Sequence, residues 1–190
     1  MTAELLRVEG LRYLENGPYS FVLHTNEVLG LTGPSGVGKT QLLRALVQCL
    51  AGEGAIFYKG RPIESFAAPE WRKMVNLVPS DSVWWRERVG QHLIGADGEE
   101  VDSLLRSLGF ESEVVDWEVA RLSSAALDTQ SALLMERLLR SYLRRTDTAI
   151  IWISHDLGQL QRVADRCLRL TRSGLETMRP QPRQEETRRQ

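Results

Sequence analysis

An α/β domain, with a parallel sheet packed between helices, follows from the spacing of apolar residues along this 190-residue chain. A first run, 28–32, reads as a strand, and a second, 149–153, is apolar throughout and bounded by Asp147 and Ser154, as a strand covered on both faces by helices requires. Three segments, 39–50, 99–108 and 129–145, carry apolar residues three and four apart, the period of a helix with one buried face. A stretch with three glycines, 33–40, joins the first run to the first of these helices.

The first thirty residues read as strands at 5–11, 20–24 and 28–32, with Asn16-Gly17-Pro18 as the turn signal between the first two. In 39–50, Leu42, Leu43, Leu46, Val47 and Leu50 share a face, and Gly52 stops the helix. A short strand at 55–58 ends at the turn Lys59-Gly60, and 74–78 reads as a strand ended by Pro79. A polar loop at 80–88 then carries Trp84 and Trp85. The helix at 99–108 stops at Gly109, and the helix at 129–145 aligns Leu134, Met135, Leu138, Leu139 and Tyr142. After the strand at 149–153 come a helix at 157–166 and a last short strand at 167–171. Residues 180–190 hold two prolines and no large apolar side chain, so they are expected to stay disordered and to leave a single domain over 1–179. There is no internal repeat.

Composition excludes several function classes. With 42% apolar and 26% charged residues the chain reads as an ordinary soluble domain, large enough to bury a core. Twenty-four Lys and Arg against 25 Asp and Glu leave a net charge of −1. No global basic field therefore draws it to nucleic acid or to an anionic membrane, and any phosphate must be held locally. No run approaches the ~20 apolar residues of a membrane span, so membrane association is expected only through a partner. Cys49 and Cys167 are too few for a disulfide framework, and the Met-Thr-Ala-Glu start lacks the basic and apolar regions of a signal peptide. The expected compartment is the cytoplasm.

The glycine-rich stretch carries the strongest chemical signal. Gly33, Pro34, Ser35, Gly36, Val37, Gly38, Lys39 and Thr40 fit the phosphate-binding loop G-x-x-x-x-G-K-[ST], in the strand-to-helix context that the pattern needs. The glycines let backbone N–H groups converge on phosphate oxygens, and the helix that starts near Lys39 adds its positive end. Lys39 neutralises the β and γ groups, and Thr40 offers a hydroxyl to Mg²⁺. A plain glycine-rich turn would not meet every fixed position between a strand and a helix. The dinucleotide pattern G-x-G-x-x-G is absent.

Three features together resemble an ATP-binding cassette (ABC) ATPase: strands ahead of the phosphate loop, an aromatic residue upstream of it, and Ser154-His155-Asp156 after a late apolar strand. The likeness runs from about Leu5 to Leu170 and is nearest to small bacterial cassettes of the iron-export type, which pair with a separate transmembrane permease. It implies a P-loop NTPase fold with an N-terminal antiparallel β subdomain, a parallel core sheet flanked by helices, and a reduced helical subdomain. It also implies ATP and Mg²⁺ as ligands, a permease as partner, a location at the inner membrane through that permease, and a homodimer. Tyr13 aligns with the aromatic that stacks on adenine, although its position equally suits the core of a hairpin. His155 aligns with the histidine that contacts the γ-phosphate, a task that suits an imidazole donor. His24 and His92 have no such context and read as structural.

Elsewhere the pattern is broken. Where the family places a glutamine that reaches Mg²⁺ and the attacking water, this chain has Val78-Pro79-Ser80-Asp81. Ser80 takes that register and becomes the candidate metal partner beside Thr40, with Asp81 as a neighbouring carboxylate. Trp84 and Trp85 fall where such a cassette faces its permease, and they suit either a docking anchor or the local core. Leu122-Ser123 look like the first two residues of the signature L-S-G-G-Q, and Ala126-Leu127-Asp128 look like the later S-A-L-D loop, with Asp128 as a candidate nucleotide contact. The roughly 25 residues normally between them, which include an apolar strand ending in Asp-Glu, are missing near 123–126. The missing Asp would help hold Mg²⁺ and the missing Glu would polarise water, so binding is expected to outlast turnover.

Two other readings stay open. A binding-only relative would keep the phosphate chemistry and use it to regulate a partner. A P-loop nucleotide or small-molecule kinase would also use Gly-Pro-Ser-Gly-Val-Gly-Lys, but 32 residues precede the loop here and Ser154-His155-Asp156 would go unexplained.

Overall fold

Buried residues recur along the first strand, β1 (Glu4–Tyr13), where Leu6, Val8, Leu11 and Tyr13 all turn into the core. The structure is a computed structural model and describes residues 3–48, 53–78, 86–93, 95, 97–107, 109–118 and 129–178. The chain divides into two compact units, one drawn from 1–78 and 143–190, the other from 79–142.

In the first unit β1 pairs antiparallel with β2 (Asn16–His24) on one side and with β4 (Ala55–Tyr58) on the other. A two-residue strand, β5 (Arg61–Pro62), completes the order β2-β1-β4-β5. The expected strand at 20–24 thus begins four residues earlier. Asn16-Gly17-Pro18 lies inside β2, because a register shift between Leu11↔Tyr19 and Tyr13↔Asn16 absorbs the irregular residues and moves the turn to Leu14 and Glu15.

The second sheet has the order β6-β3-β7-β8. Its central strand, β3 (Val28–Thr32), is buried throughout and runs parallel to β6 (Ile150–Ile153) and to β7 (Arg166–Thr171). A final strand, β8 (Gly174–Met178), turns back antiparallel on β7. All four residues of β6 are only half-buried, and among the described residues β6 is the outermost strand on its side. The full cover expected for 149–153 is therefore not found.

Helices connect the strands. Helix α1 (Lys39–Gln48) follows β3 through the phosphate loop and buries Leu42, Ala45 and Leu46. Helix α2 (Ala68–Met74) replaces the start of the expected strand at 74–78. Pro69 lies in its first turn, a position where the missing N–H costs nothing, and Trp71 is buried with its Nε1 donating to the Leu46 carbonyl at 3.0 Å. Residues 75–78 belong to no strand pair among the described residues, for an extended segment makes a sheet only where a neighbour takes its hydrogen bonds. Helix α5 (Leu157–Val163) is capped by Asp156, whose Oδ1 accepts from Gly158 N at 2.8 Å. It stops three residues short of the expected 166, because Asp165 leaves the helix to bind the start of β3: its Oδ2 accepts from Val28 N and its N donates to Val28 O, both at 2.8 Å.

One core cluster joins both sheets to α1 and α2 through Tyr19, Leu29, Leu31, Leu42, Trp71 and Leu170. A smaller one gathers Val28, Leu143, Val163 and Ala164 on the other face of β3. Where β2 turns into β3, the buried Glu27 accepts from Arg166 Nε at 2.5 Å and from His24 N at 2.7 Å.

The second unit is helical. It contains α3 (Gly98–Ser107), most of α4 (Thr129–Leu143), and two short 3₁₀ turns, Val89–His92 and Ser112–Asp116. Val89 N donates to the Trp117 carbonyl at 3.1 Å, and Arg88 bridges antiparallel to Glu118, which ties the turns together. Both expected helices exist here, with ends at Ser107 and Leu143. This unit is the reduced helical subdomain of the expected architecture. Among the described residues no helix is long and apolar enough to cross a membrane.

Candidate functional site

Parallel pairing brings the chemically interesting loops to one edge of the second sheet. Beside β3, β6 ends in register at Leu31↔Ile153, and Ser154 N donates to the Leu31 carbonyl at 3.4 Å. On the other flank β7 pairs Thr32↔Arg169. The phosphate loop, the Ser154-His155-Asp156 turn and the last residues of β7 thus all leave the C-terminal ends of neighbouring strands, where open α/β sheets carry their ligand sites.

The loop leaves β3 against β7. Gly33 has φ +148°, and a Cβ there would stand 2.6 Å from the Leu170 carbonyl oxygen, so only glycine lets the chain turn this closely. Past it, the N–H groups of Ser35, Gly36 and Gly38 have no hydrogen-bond partner among the described residues. They are free for an anion, as are the first N–H groups of α1, whose first turn carries no acidic residue.

Lys39 is buried, and its Nζ donates to the Gly33 carbonyl at 2.7 Å and to the Pro34 carbonyl at 2.9 Å. Burial pushes its ammonium below the ordinary lysine range. The loop carbonyls hold the charge where phosphate oxygens would replace them. Thr40 is exposed beside it on α1.

Tyr13 is buried with its ring stacked on Tyr19, centroids 5.5 Å apart, and its hydroxyl donates to the Gly38 carbonyl at 3.0 Å. The structure puts it behind the loop, in the hairpin core. Tyr19, in turn, donates to the Thr171 carbonyl at 2.8 Å. His155 is exposed at the end of β6, with Ser154 Oγ accepting from Asp156 N at 3.0 Å to shape its turn. Ser80, Asp81, Trp84, Trp85, Leu122, Ser123, Ala126, Leu127 and Asp128 lie outside the described residues.

A cavity of about 320 Å³ opens beside the loop, lined by Pro34, Ser35, Gly36, Val37, Arg169, Thr171 and Arg172. Arg169 and Arg172 were not evident from sequence. The strand at 167–171 is legible, but its neighbour in the sheet is not, and only the Thr32↔Arg169 pairing carries these guanidinium groups to the loop. Tyr19 was missed likewise, because it precedes the expected strand at 20–24.

The residues fit a nucleoside polyphosphate: free loop N–H groups, a glycine where a Cβ would collide, a lysine and a helix start converge on one place. For a divalent ion the described residues supply the Thr40 hydroxyl and no group of three or more His, Cys, Asp or Glu. That set suits an ion held chiefly by phosphate oxygens and water.

A family described as ABC transporter matches residues 17–139. The oligopeptide transport ATP-binding protein OppF of Haemophilus influenzae is 26% identical, over 78% of this chain and 58% of its own length. The nickel import ATP-binding protein NikE of Rhodospirillum rubrum is 28% identical, over 77% and 68%. For the vitamin B12 import ATP-binding protein BtuD of Salmonella typhimurium the values are 26%, 84% and 78%. The chain thus spans little more than half the length of the first of these relatives. A bacterial Atm1-family ABC exporter with ATP bound superposes with a TM-score of 0.76 at 21% identity, over 91% of this chain and 38% of the exporter chain, and so shares its fold. With the family match covering well over half of its residues, this chain belongs to the ABC transporter family.

Proposed function

We propose that the chain is the ATP-binding subunit of an ABC-type transporter and couples its nucleotide state to a separate transmembrane permease. The observation that carries the reading is the loop 33–40, whose N–H groups at Ser35, Gly36 and Gly38 have no partner among the described residues while Lys39 is held by its Gly33 and Pro34 carbonyls. Lys39 and the loop bind the phosphates, Thr40 serves Mg²⁺, and His155, one strand over, reads the γ-phosphate. The names of the relatives, which describe oligopeptide transport, nickel import and vitamin B12 import, support the transport role, and the permease chooses the cargo.

A binding-only role is the second reading, favoured by one feature of the sequence. No run of four apolar residues followed by Asp-Glu occurs in it, so the carboxylate that polarises water in hydrolysing relatives has no counterpart. One cassette over 1–179, shortened near 123–126, accommodates both readings, as does a homodimer around two nucleotides.

The test is ATP binding and steady-state hydrolysis by the purified chain with Mg²⁺, beside Lys39→Ala. Binding that depends on Lys39 supports the nucleotide role, and turnover that depends on Lys39 separates the first reading from the second. Equal ATP affinity in Lys39→Ala overturns both.

A further inference from the structure

Beside the phosphate loop stand two cations that the loop motif does not contain. Arg169 lies on β7 opposite Thr32, the last residue before Gly33, and Arg172 lies in the turn from β7 to β8. Both side chains are exposed, both line the cavity of about 320 Å³ with Pro34, Ser35, Gly36 and Val37, and neither makes an ion pair among the described residues. The Glu176 partner of Arg169 across the β7–β8 ladder is a backbone pair, and no bond joins the two side chains.

The backbone under these arginines is fixed. Tyr19 donates to the Thr171 carbonyl at 2.8 Å, Gly17 N donates to the Arg172 carbonyl at 3.0 Å, and the Thr171 hydroxyl donates to the Gly174 carbonyl at 3.0 Å. Because the Thr171 proton is spent on Gly174, that side chain has no donor left for a ligand. Among the residues that line the cavity, the donors left without a partner are therefore the two guanidinium groups and the N–H groups of Ser35 and Gly36. Guanidinium groups and N–H groups that are unpaired among the described residues, in a cavity with no carboxylate among its described lining residues, select an oxyanion.

We propose that Arg169 and Arg172 form an oxyanion site of the phosphate class alongside the loop, so that a ligand phosphate is held from the β7 side. The proposal rests on the nucleotide reading of the loop only in its first source, the terminal phosphate of bound ATP. Its second source is free phosphate. Guanidinium is suited to either, since its planar fork matches two phosphate oxygens and it never loses its charge.

The experiment measures ATP and inorganic phosphate binding by calorimetry for the full chain, for Lys39→Ala, for the double variant Arg169→Ala/Arg172→Ala, and for Arg169→Lys/Arg172→Lys. Inorganic phosphate is titrated both with and without saturating ATP. For the alanine pair we expect a loss of about tenfold or more in affinity, with a shallower salt dependence, and partial recovery in the lysine pair. If the loss falls on ATP, the nucleotide is the source. If ATP affinity is unchanged while inorganic phosphate binds the ATP-loaded protein and is lost in the alanine pair, free phosphate is the source. Unchanged affinity for both ligands in the alanine pair overturns the proposal, whatever Lys39→Ala does. Loss of ATP affinity in Lys39→Ala beside an unaffected alanine pair leaves the loop reading standing, whereas ATP affinity unaffected by Lys39→Ala removes that reading and leaves the arginines to be judged on inorganic phosphate. The side chains are exposed and unpaired, so thermal melting of both pairs should match the unaltered chain.

Discussion

The Tyr13 hydroxyl donates to the Gly38 carbonyl at 3.0 Å, which ties the end of β1 to the base of the phosphate loop. Its ring has Tyr19 on one face, so Tyr13 supports the loop from behind. Tyr13→Phe keeps the ring and removes only this donor. The variant should lose about 1 kcal/mol of stability and bind ATP several-fold more weakly, because Gly38 and the N–H groups around it are less firmly placed. Chemical denaturation and calorimetry check the two effects. Unaltered stability with lower affinity specific to adenine nucleotides would return the ring to the base contact that the family resemblance implies.

The same pair sets an alkaline limit. Burial raises both the Tyr13 and the Tyr19 hydroxyl above the ordinary tyrosine value of 10.0, so each keeps its proton in the folded chain after the unfolded chain has lost it. A folded value above the unfolded one gives stability that is complete below pH 10.0 and is lost progressively as pH rises from there through the raised folded values. Denaturation midpoints should fall from pH 10.0 upward, and less steeply in Tyr13→Phe/Tyr19→Phe.

How much of this was legible in sequence depends on how local each signal is. The phosphate loop is a fixed pattern of eight residues, and β3 and α1 on either side of it are continuous in sequence, so all three are readable and occur where expected. Helix α2 escaped because its seven residues carry a single buried side chain, Trp71, too little for a period to show, while Met74, Val75, Leu77 and Val78 mimic a strand. β8 escaped for the same reason, having only Leu175 and Met178 as apolar residues. The two arginines and Tyr19 depend on which strands become neighbours, and that is decided by packing over separations of more than a hundred residues.

Two glycines of the loop should respond differently to alanine. At Gly33 a Cβ would stand 2.6 Å from the Leu170 carbonyl oxygen, and backbone there cannot give way without breaking β7. At Gly36, φ is +76° but no atom lies within 4 Å of the added carbon. Gly36→Ala should cost about 1 kcal/mol of left-handed backbone strain, and Gly33→Ala clearly more. Urea midpoints of the two variants test the order.

Trp71 holds α1 through its bond to the Leu46 carbonyl and packs edge-on against Tyr58 of β4, 5.6 Å between centroids. Trp71→Ala should cost about 3–5 kcal/mol, as large core truncations do. Trp71→Phe should cost less, since it keeps much of the burial and gives up the bond. Because α1 carries Lys39 at its first position, ATP affinity should fall with both, in proportion to stability.

His155 offers the reverse case. It is exposed, it follows the strand that pairs with β3, and the turn around it is shaped by Ser154, Asp156 and Gly158 without help from the imidazole. His155→Ala should therefore leave stability within about 0.5 kcal/mol, as surface changes usually do. Its effect should fall on one ligand. If the imidazole reads the γ-phosphate, ATP affinity drops by about tenfold while ADP affinity is unchanged, because the lost bond is to a charged group that ADP lacks. Equal losses for ATP and ADP would instead mean that the side chain acts on the shared phosphates or on the loop, and a change in neither would take His155 out of the site altogether.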